Sequence, residues 1–273
     1  MRRPDLSQSR VARIAVIAAL LLLALLLTGC GADTPQNTFA PEGPVARDQR
    51  DIFYLAMWPA VAVMILVEVG LVVMILRFRR KSGDPVPKQT HGNTPLELAW
   101  TIAPAILLAV LAVPMMIVLF EIGREPRDDA FQVNVKGVQW QWLFEYPDLL
   151  DQDGKPITTI GEFHFPAGKE IAINLTAEDV IHSFAIPRIA GTRDAIPSAD
   201  LDGNPGLDHV ETMWIRSDEP GTFAGQCREF CGLGHAEMKI VAHADSEDDF
   251  KAWMAEAIAS SDQGGGGQVQ AQD

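Results

Sequence analysis

Residues 227–238 read CREFCGLGHAEM, and this short stretch holds two of the three cysteines together with a histidine and a methionine. Three kinds of site use such residues. An exported protein can join a cysteine pair in a disulfide, but this would leave the histidine and the methionine without a role. A structural zinc site uses cysteine and histidine but not methionine. Thiolate, thioether and imidazole together are the ligands of copper electron-transfer sites, so copper matches the loop best.

Two cysteines in one loop exceed what a mononuclear blue copper site needs, but they could bridge two copper ions. Each ion would then require one histidine and one weaker ligand, so a second histidine must come from elsewhere in the chain. His182, within VIHSF at residues 180–184, is the best placed. The other candidates are His164, His209 and His243.

The N-terminus has the pattern of an export signal. Four arginines precede the apolar run from Ile14 to Leu27, and small residues follow it at the predicted cleavage site. The stretch LTGC, residues 27–30, resembles the lipobox of bacterial lipoproteins, in which the cysteine carries the lipid anchor. We therefore expect a signal peptide of the lipoprotein type at 1–29, acylation of Cys30 and an exported segment at 30–51. A plain signal with a free cysteine is the alternative.

Two further apolar runs predict a transmembrane hairpin over residues 52–123, with helices at about 52–76 and 97–120. The link between them is rich in arginine and lysine, which places it in the cytoplasm and both flanks outside. The protein is thus expected in a bacterial plasma membrane, which it crosses more than once, with its C-terminal domain on the periplasmic or extracellular side.

The exported domain, residues 124–259, shows short alternating strands separated by turn residues, which predicts an all-β sandwich or barrel. Residues 187–208 are expected to form an irregular surface loop. Ser246 is expected to cap a helix, and the glycine-rich tail at 260–273 to be disordered. Residues 124–256 hold 25 acidic and 11 basic residues. This negative charge suits a basic partner and excludes nucleic acid.

The motifs together resemble subunit II of the bacterial heme-copper (aa3-type) cytochrome c oxidases. The resemblance rests on the Cys-x3-Cys-x3-His-x2-Met spacing, on HSF at 182–184, on DAIP at 194–197 and on QWQW at 139–142. It covers nearly the whole mature chain and implies a two-helix transmembrane hairpin followed by an all-β cupredoxin-like sandwich domain. Gln141 departs from the usual aromatic residue, which leaves the copper site untouched. Ser198-Ala199 departs from a common Gly-Arg pair, which puts in doubt the family's contacts near the subunit boundary and the heme propionates.

The resemblance also implies the site residues. A dinuclear copper A centre would be held by Cys227, Glu229 (through its carbonyl), Cys231, His182, His235 and Met238. The carboxylate of Glu229 would reach a magnesium ion shared with subunit I. Trp140 would be the point at which electrons enter, although a tryptophan in an alternating strand is by itself more often a core residue. Glu97 would stand at the mouth of a proton channel in subunit I.

The function implied is that of the subunit through which electrons enter a cytochrome c oxidase. Cytochrome c, or a similar basic donor, would reduce copper A, and the electrons would pass to heme in subunit I, where oxygen is reduced to water and protons are pumped. Subunit III would be a further partner. The chain has no Cys-x-x-Cys-His motif, so heme is expected in the partner subunit only. The alternatives are a quinol oxidase subunit II and a copper-binding membrane lipoprotein outside an oxidase.

Overall fold

The computed structural model describes residues 17, 18, 20, 21, 34–80, 83, 85, 86, 89, 91–197 and 210–261, and the backbone of 268–270. Most of the predicted signal peptide lies outside these residues. So do the predicted lipidation site Cys30, the candidate ligand His209 and the Ser198-Ala199 pair.

Two helices, α1 (Pro44–Phe78) and α2 (Thr94–Ile122), are long and apolar enough to cross a membrane. Helix α1 begins eight residues before the predicted start at 52, so the end of the predicted exported segment is helical. Proline suits this position because its fixed φ matches the first helical turn. Helix α2 begins three residues before the predicted 97, where the Asn93 side chain accepts a hydrogen bond from the Leu96 N–H.

After α2 the chain folds into three packed sheets. The strands are β1 (Phe131–Val138), β2 (Gln141–Leu150), β3 (Pro156–Ile160), β4 (Glu162–Pro166), β5 (Ile171–Ala177), β6 (His182–Ala185), β7 (Thr192–Ala195), β8 (Glu211–Ile215), β9 (Gly221–Gln226), β10 (Lys239–Asp245) and β11 (Gln268–Gln270). Their order is β11-β3-β2-β1-β5-β8 in the largest sheet, β4-β10-β9 in the second and β6-β7 in the third.

The core lies between the sheets and follows the alternation of the strands. In β2, Trp142, Phe144 and Tyr146 point inward and are fully buried, while their neighbours along the strand are more exposed. Phe144 stacks on Phe163 of β4 with ring centroids 4.6 Å apart. Strands β1, β4 and β10 bury alternate residues in the same way, whereas β6 is buried throughout. Sheets that pack their buried faces together in this manner form a sandwich. The prediction of two apolar helices followed by a β-sandwich is confirmed.

The structure corrects the predictions made for two segments that were expected to lack regular structure, residues 260–273 and 187–208. The last helix, α3 (Glu247–Ser261), is capped as expected, because Ser246 Oγ accepts a hydrogen bond from the Asp249 N–H. The tail at 260–273 is not wholly disordered: α3 includes its first two residues, and β11 pairs in parallel with β3. Pairing at a sheet edge joins backbone groups and needs no apolar side chains. Likewise β7 lies within 187–208, which was expected to be irregular.

An ion pair joins α2 to the sandwich just outside the predicted membrane span. Arg124 donates two hydrogen bonds to the Glu170 carboxylate, of 2.9 and 2.7 Å, and its guanidinium lies 4.2 Å from the centroid of the Trp214 ring. The Trp214 indole in turn donates to the Glu121 carbonyl at 3.4 Å. The end of the helix is therefore held against the start of β5 and against the neighbouring edge strand β8.

Candidate metal centre

The cysteine loop joins β9 to β10 and is closed by backbone hydrogen bonds. Cys227 follows β9, and its N–H donates to the carbonyl of Met238, just before β10, at 2.9 Å. The N–H of Arg228 donates to the carbonyl of Ser183 in β6, also at 2.9 Å. These bonds bring the loop beside His182, which is 45 residues earlier in the chain than Cys227.

The two thiols lie at the centre of the site, with one imidazole beside each. The sulfur atoms of Cys227 and Cys231 are 3.9 Å apart. His182 Nδ1 lies 3.9 Å from the sulfur of Cys227, and His235 Nδ1 lies 3.7 Å from that of Cys231. The Met238 sulfur is 3.8 Å from Cys231 Sγ. Three side chains, two imidazoles and one thioether, thus surround the thiol pair.

The remaining predicted ligand is a backbone oxygen. The carbonyl oxygen of Glu229 lies 3.2 Å from Cys227 Sγ, while the side chain of Glu229 is exposed. His182, both cysteines and Met238 are buried, and His235 is half-buried. The structure therefore brings all six predicted ligand positions together.

The chemistry of this set fits copper better than the alternatives. A sulfur separation of 3.9 Å is far beyond the roughly 2.05 Å of a disulfide, and both cysteines are free. A thioether beside the second thiol is typical of copper and not of structural zinc. Within the part of the chain that the structure describes, His182, Cys227 and Cys231 form the one cluster of at least three metal-binding side chains, with ligand atoms all within 4.8 Å of one another.

Asp179 orients His182, a contact that the sequence did not reveal. Its carboxylate accepts hydrogen bonds from His182 Nε2 at 2.9 Å and from the Gln139 N–H at 2.8 Å. The other ring nitrogen, Nδ1, therefore faces Cys227. Carboxylates commonly fix a ligand histidine in this way. Burial opposes the charge on His182, but its hydrogen bonds to Cys227 and Asp179 raise its pKa above the ordinary value.

The two thiols have different acidities. Burial opposes ionisation of Cys227, but hydrogen bonds from His182 and from neighbouring backbone groups outweigh it and lower the pKa to about 6. Burial and the nearby charge of Cys227 raise the pKa of Cys231 to about 11. Ionisation is therefore easier at Cys227 than at Cys231, and a bound cation would favour loss of the second proton because it compensates the charge.

Trp140 lies beside the centre, although it is not in a strand as expected. It belongs to the turn between β1 and β2 and is 40% exposed. Its indole Nε1 donates to the carbonyl oxygen of Cys231 at 3.0 Å, and the Gln139 side chain donates to the same oxygen at 2.7 Å. A partly exposed aromatic ring is thus connected directly to the ligand loop.

Two glycines make room for these rings. A Cβ on Gly137 would lie 2.8 Å from His182 Cδ2, and a Cβ on Gly234 would lie 2.6 Å from atoms of the Trp140 ring. Both distances are shorter than any van der Waals contact that a methyl group could make. The close approach of β1 to His182 explains why the earlier position is glycine, which the sequence alone did not indicate.

The other histidine candidates that the structure describes lie elsewhere. His164 and His243 stack on each other, with ring centroids 4.3 Å apart, and His164 also stacks on Trp253 of α3. His164 Nδ1 lies 2.8 Å from an oxygen of Asp245. This pair packs near the end of β10 that is remote from the cysteine loop, so His182 is the histidine that reaches the thiols.

Glu97 has a local partner. It lies in the first turn of α2, exposed, and its carboxylate accepts a hydrogen bond from the Asn93 N–H at 2.9 Å. The turn is at the end of α2 opposite to the sandwich, so Glu97 is remote from the metal centre. Its role at a proton channel stays a prediction, as does magnesium binding by the Glu229 carboxylate.

Comparison with known proteins identifies the family. A model described as cytochrome c oxidase subunit II, periplasmic domain, matches residues 131–245, and one described as the transmembrane domain of the same subunit matches 36–118. Cytochrome c oxidase subunit 2 of Bacillus subtilis is 35% identical over 257 residues, which cover 88% of this chain and 67% of the relative. The chain belongs to the cytochrome c oxidase subunit II family. The predicted family, and with it the cupredoxin-like fold, is confirmed.

Other relatives show the breadth of the family. Cytochrome c oxidase subunit 2 of Alkalihalophilus pseudofirmus is 34% identical over 86% of this chain and 66% of its own length. The chain thus spans about two thirds of both relatives named cytochrome c oxidase. A Bacillus cereus protein named quinol oxidase subunit 2 is 27% identical over 88% of this chain and 79% of its own. The crystal structure of the periplasmic domain of subunit II of cytochrome oxidase (CoxB) of Bradyrhizobium japonicum matches 50% of this chain and 99% of that domain, at 29% identity and a TM-score of 0.40.

Membership of the family also bears on location. The periplasmic-domain model covers the sandwich, and the transmembrane-domain model covers all of α1 and most of α2. The protein is therefore a membrane protein with an outside domain, which carries the candidate metal centre.

Proposed function

We propose that this chain is the subunit through which electrons enter a cytochrome c oxidase, and that its sandwich holds a dinuclear copper A centre. One observation carries the proposal. Two free, buried thiols lie 3.9 Å apart, each with a different imidazole beside it. A single metal ion would not need two thiols that each have their own imidazole, whereas two ions bridged by the thiolates would use both pairs.

The chain's own side chains would divide the work of binding. Cys227 and Cys231 would bridge the two ions, and His182 and His235 would each complete one. Met238 and the carbonyl of Glu229 would be the weaker ligands. These residues would hold a copper pair, which would supply transfer of one electron at a time. The buried, preformed β scaffold keeps water out, and Asp179 holds His182 in place, so little rearrangement accompanies the exchange.

Trp140 is proposed as the residue that receives the electron from the donor. Its ring is partly exposed, and its indole N–H is bonded to the backbone of the ligand Cys231. The donor is proposed to be cytochrome c or a similar basic protein, because the surrounding domain carries 25 acidic and 11 basic residues over 124–256. Opposite charges accelerate the encounter of two proteins.

Within the oxidase complex, the electrons would pass from this chain to heme in subunit I. There oxygen would be reduced to water while protons are pumped, with subunit III as a further partner. Glu229 would also bind magnesium at the boundary with subunit I, and Glu97 would serve the proton channel. The chain would cross a bacterial plasma membrane twice, with an added lipid anchor at Cys30.

The two alternatives are less consistent with the site. Relatives named quinol oxidase subunit 2 exist, but a quinol oxidase of that kind needs no copper ligands, and this chain brings all six ligand positions together. A copper-binding lipoprotein outside an oxidase would need only its lipid for attachment, whereas this chain has two helices long enough to span a membrane, one of them tied to the sandwich by Arg124 and Glu170.

The test is copper content and electron paramagnetic resonance of the full chain in detergent, loaded with copper while both thiols are kept reduced and then oxidised by one electron per chain with ferricyanide. We expect two copper ions per chain and hyperfine structure from one electron shared by both nuclei. One ion with a localised spin, or no copper while both thiols remain free, would contradict the proposal. The matched control is Cys227→Ser, which keeps the size of the side chain but removes one bridge and should abolish the shared signal.

A further inference from the structure

The segment before α1 contacts the residues around Cys227 through the side chain of Gln36. The amide nitrogen of Gln36 donates to the side-chain oxygen of Gln226 at 3.0 Å, and its oxygen accepts from the guanidinium of Arg228 at 2.9 Å. These two residues are the immediate neighbours of Cys227. Gln36 therefore connects the residue before the first thiol with the residue after it.

The segment that carries Gln36 is itself fixed to the sandwich. Arg188, in the loop after β6, donates to the carbonyl of Ala40 at 3.0 Å and to the carboxylate of Glu42 at 2.6 Å. The N–H of Glu42 donates to the Arg188 carbonyl, and the Glu42 carbonyl accepts from the Asp218 N–H. Four hydrogen bonds thus hold the chain a few residues beyond Gln36. A side chain on such a segment can restrain its partners rather than follow them.

We propose that Gln36 is a positioning residue for the metal centre, and that it fixes the backbone on both sides of Cys227 and the location of the Arg228 charge. This inference rests on the proposed copper function but assigns a role to a residue of the segment before α1. The Arg228 side chain is exposed and long, so without a partner it would sample many positions. A bond from Gln36 restricts the guanidinium to one region close to the centre.

The physical consequence is twofold. Loss of the Gln36 side chain frees the start of the loop, so that the backbone bonds of Cys227 and Arg228 open more often. A negative charge placed at Gln36 would lie beside the guanidinium and close to the centre, where it disfavours the addition of an electron. The first effect concerns the mobility of the loop in the absence of metal, and the second concerns its electrostatics when metal is bound.

The first experiment measures hydrogen exchange in the full apo chain in detergent, comparing wild type with Gln36→Ala. We expect exchange of peptides covering 226–229 to be about tenfold faster in the variant, with no change in α3. The matched control is Thr38→Ala, an exposed position two residues away on the same segment, which should exchange as wild type does. Unchanged exchange at 226–229, or an equal increase in α3, would overturn the proposal.

The second experiment measures the reduction potential of the copper-loaded full chain in Gln36→Glu and in Thr38→Glu. Both variants add one negative charge, but only the first places it on the partner of Arg228. At low salt we expect the equilibrium constant for accepting an electron from a fixed donor to fall about threefold in Gln36→Glu and to change much less in Thr38→Glu. Equal shifts in the two variants would contradict the positioning role.

The two proposals fail in different ways. A chain that binds no copper under reducing conditions would refute the proposed function, whereas the exchange of the apo loop would still decide whether Gln36 restrains it. A chain that binds two copper ions but shows the same loop exchange in wild type and Gln36→Ala would keep the function and refute the role of Gln36.

Discussion

The indole of Trp140 donates its hydrogen bond to the carbonyl oxygen of Cys231, 3.0 Å away, and not to a group of its own strands. One partly exposed ring is thereby joined to the backbone of one central thiol. Because the Gln139 amide donates to the same oxygen, the turn between β1 and β2 is fastened to the ligand loop at two atoms. The aromatic ring and the metal centre should thus keep a constant separation.

Replacing Trp140 with phenylalanine should slow electron acceptance without reducing the copper content of the protein. Phenylalanine keeps an aromatic ring but cannot donate to Cys231, so the direct connection is lost. We expect reduction of copper by a basic cytochrome c to slow about tenfold or more, which stopped-flow absorbance would measure, with copper content unchanged. Trp253→Phe in α3 is the matched control and should keep the wild-type rate. Loss of copper in Trp140→Phe would instead indicate a structural role.

Replacing Gly137 with alanine should displace His182. The new methyl carbon would lie 2.8 Å from His182 Cδ2, so either the ring or strand β1 must move. We expect copper affinity to fall at least tenfold, as measured by competition with a chelator. Gly70→Ala is the matched control, because a Cβ at that position meets no atom within 4 Å. Equal affinities in the two variants would show that the site accommodates the methyl group.

Replacing Asp179 with asparagine should weaken copper binding through His182. Asparagine keeps the shape but loses the charge that accepts from Nε2, so the ring is less firmly held with Nδ1 towards Cys227. Changes of this kind typically reduce metal affinity by about 10–100-fold, and competition with a chelator would measure it. Asp153→Asn, in the exposed turn between β2 and β3, should have no effect.

Glu170 should make the stability of the sandwich depend on pH in the acidic range. The hydrogen bonds from Arg124 are the largest cause of its lowered pKa; burial opposes them, and the Arg127 N–H adds to them. A carboxyl whose pKa is lower in the folded state stabilises the fold above its unfolded value, and this contribution is lost as the pH falls through the folded value. Glu170→Gln should therefore lower the free energy of unfolding by about 2 kcal/mol at pH 7 and by much less at pH 3.

The measurement for Glu170 is thermal unfolding of the full chain in detergent, followed by the circular dichroism of the β domain at pH 7 and pH 3. Glu256→Gln, an exposed position in α3, is the control and should match wild type at both values. A pH-independent difference between Glu170→Gln and wild type would mean that the charge is not the source of the stabilisation.

The sequence was sufficient to predict those elements whose pattern depends on neighbouring residues in the chain. The apolar runs predicted two long helices, and the alternation of strands predicted a sandwich, because both depend on neighbours along the chain. Helix starts were less accurate, since the turn at Pro44 is stabilised by packing: Val45 and Ala46 are almost fully buried. The strand at Gln268–Gln270 was missed because its partner, β3, is more than 100 residues away.

The metal centre was predictable in composition but not in geometry. The spacing of the loop singled out the thiols. The position of His182 in the sequence favoured it over His164, His209 and His243, and the resemblance supported the same choice. The residues that hold these ligands were not predicted, because their contacts depend on which strands pair. Asp179 reaches His182 across a turn, and Gly137 meets it from β1. The sequence predicted a strand at Trp140 because the alternation of polar and apolar residues in β2 continues back through it, whereas the chain turns there.

The attachment of the sandwich at both helices bears on how fast an electron could leave this chain. Arg47, near the start of α1, forms an ion pair with Asp218 between β8 and β9, and Arg124 is bonded to Glu170 beyond the end of α2. A body held at two separate points cannot swing about either of them. Onward transfer from this protein should then need no domain rotation, and its rate should be independent of solvent viscosity.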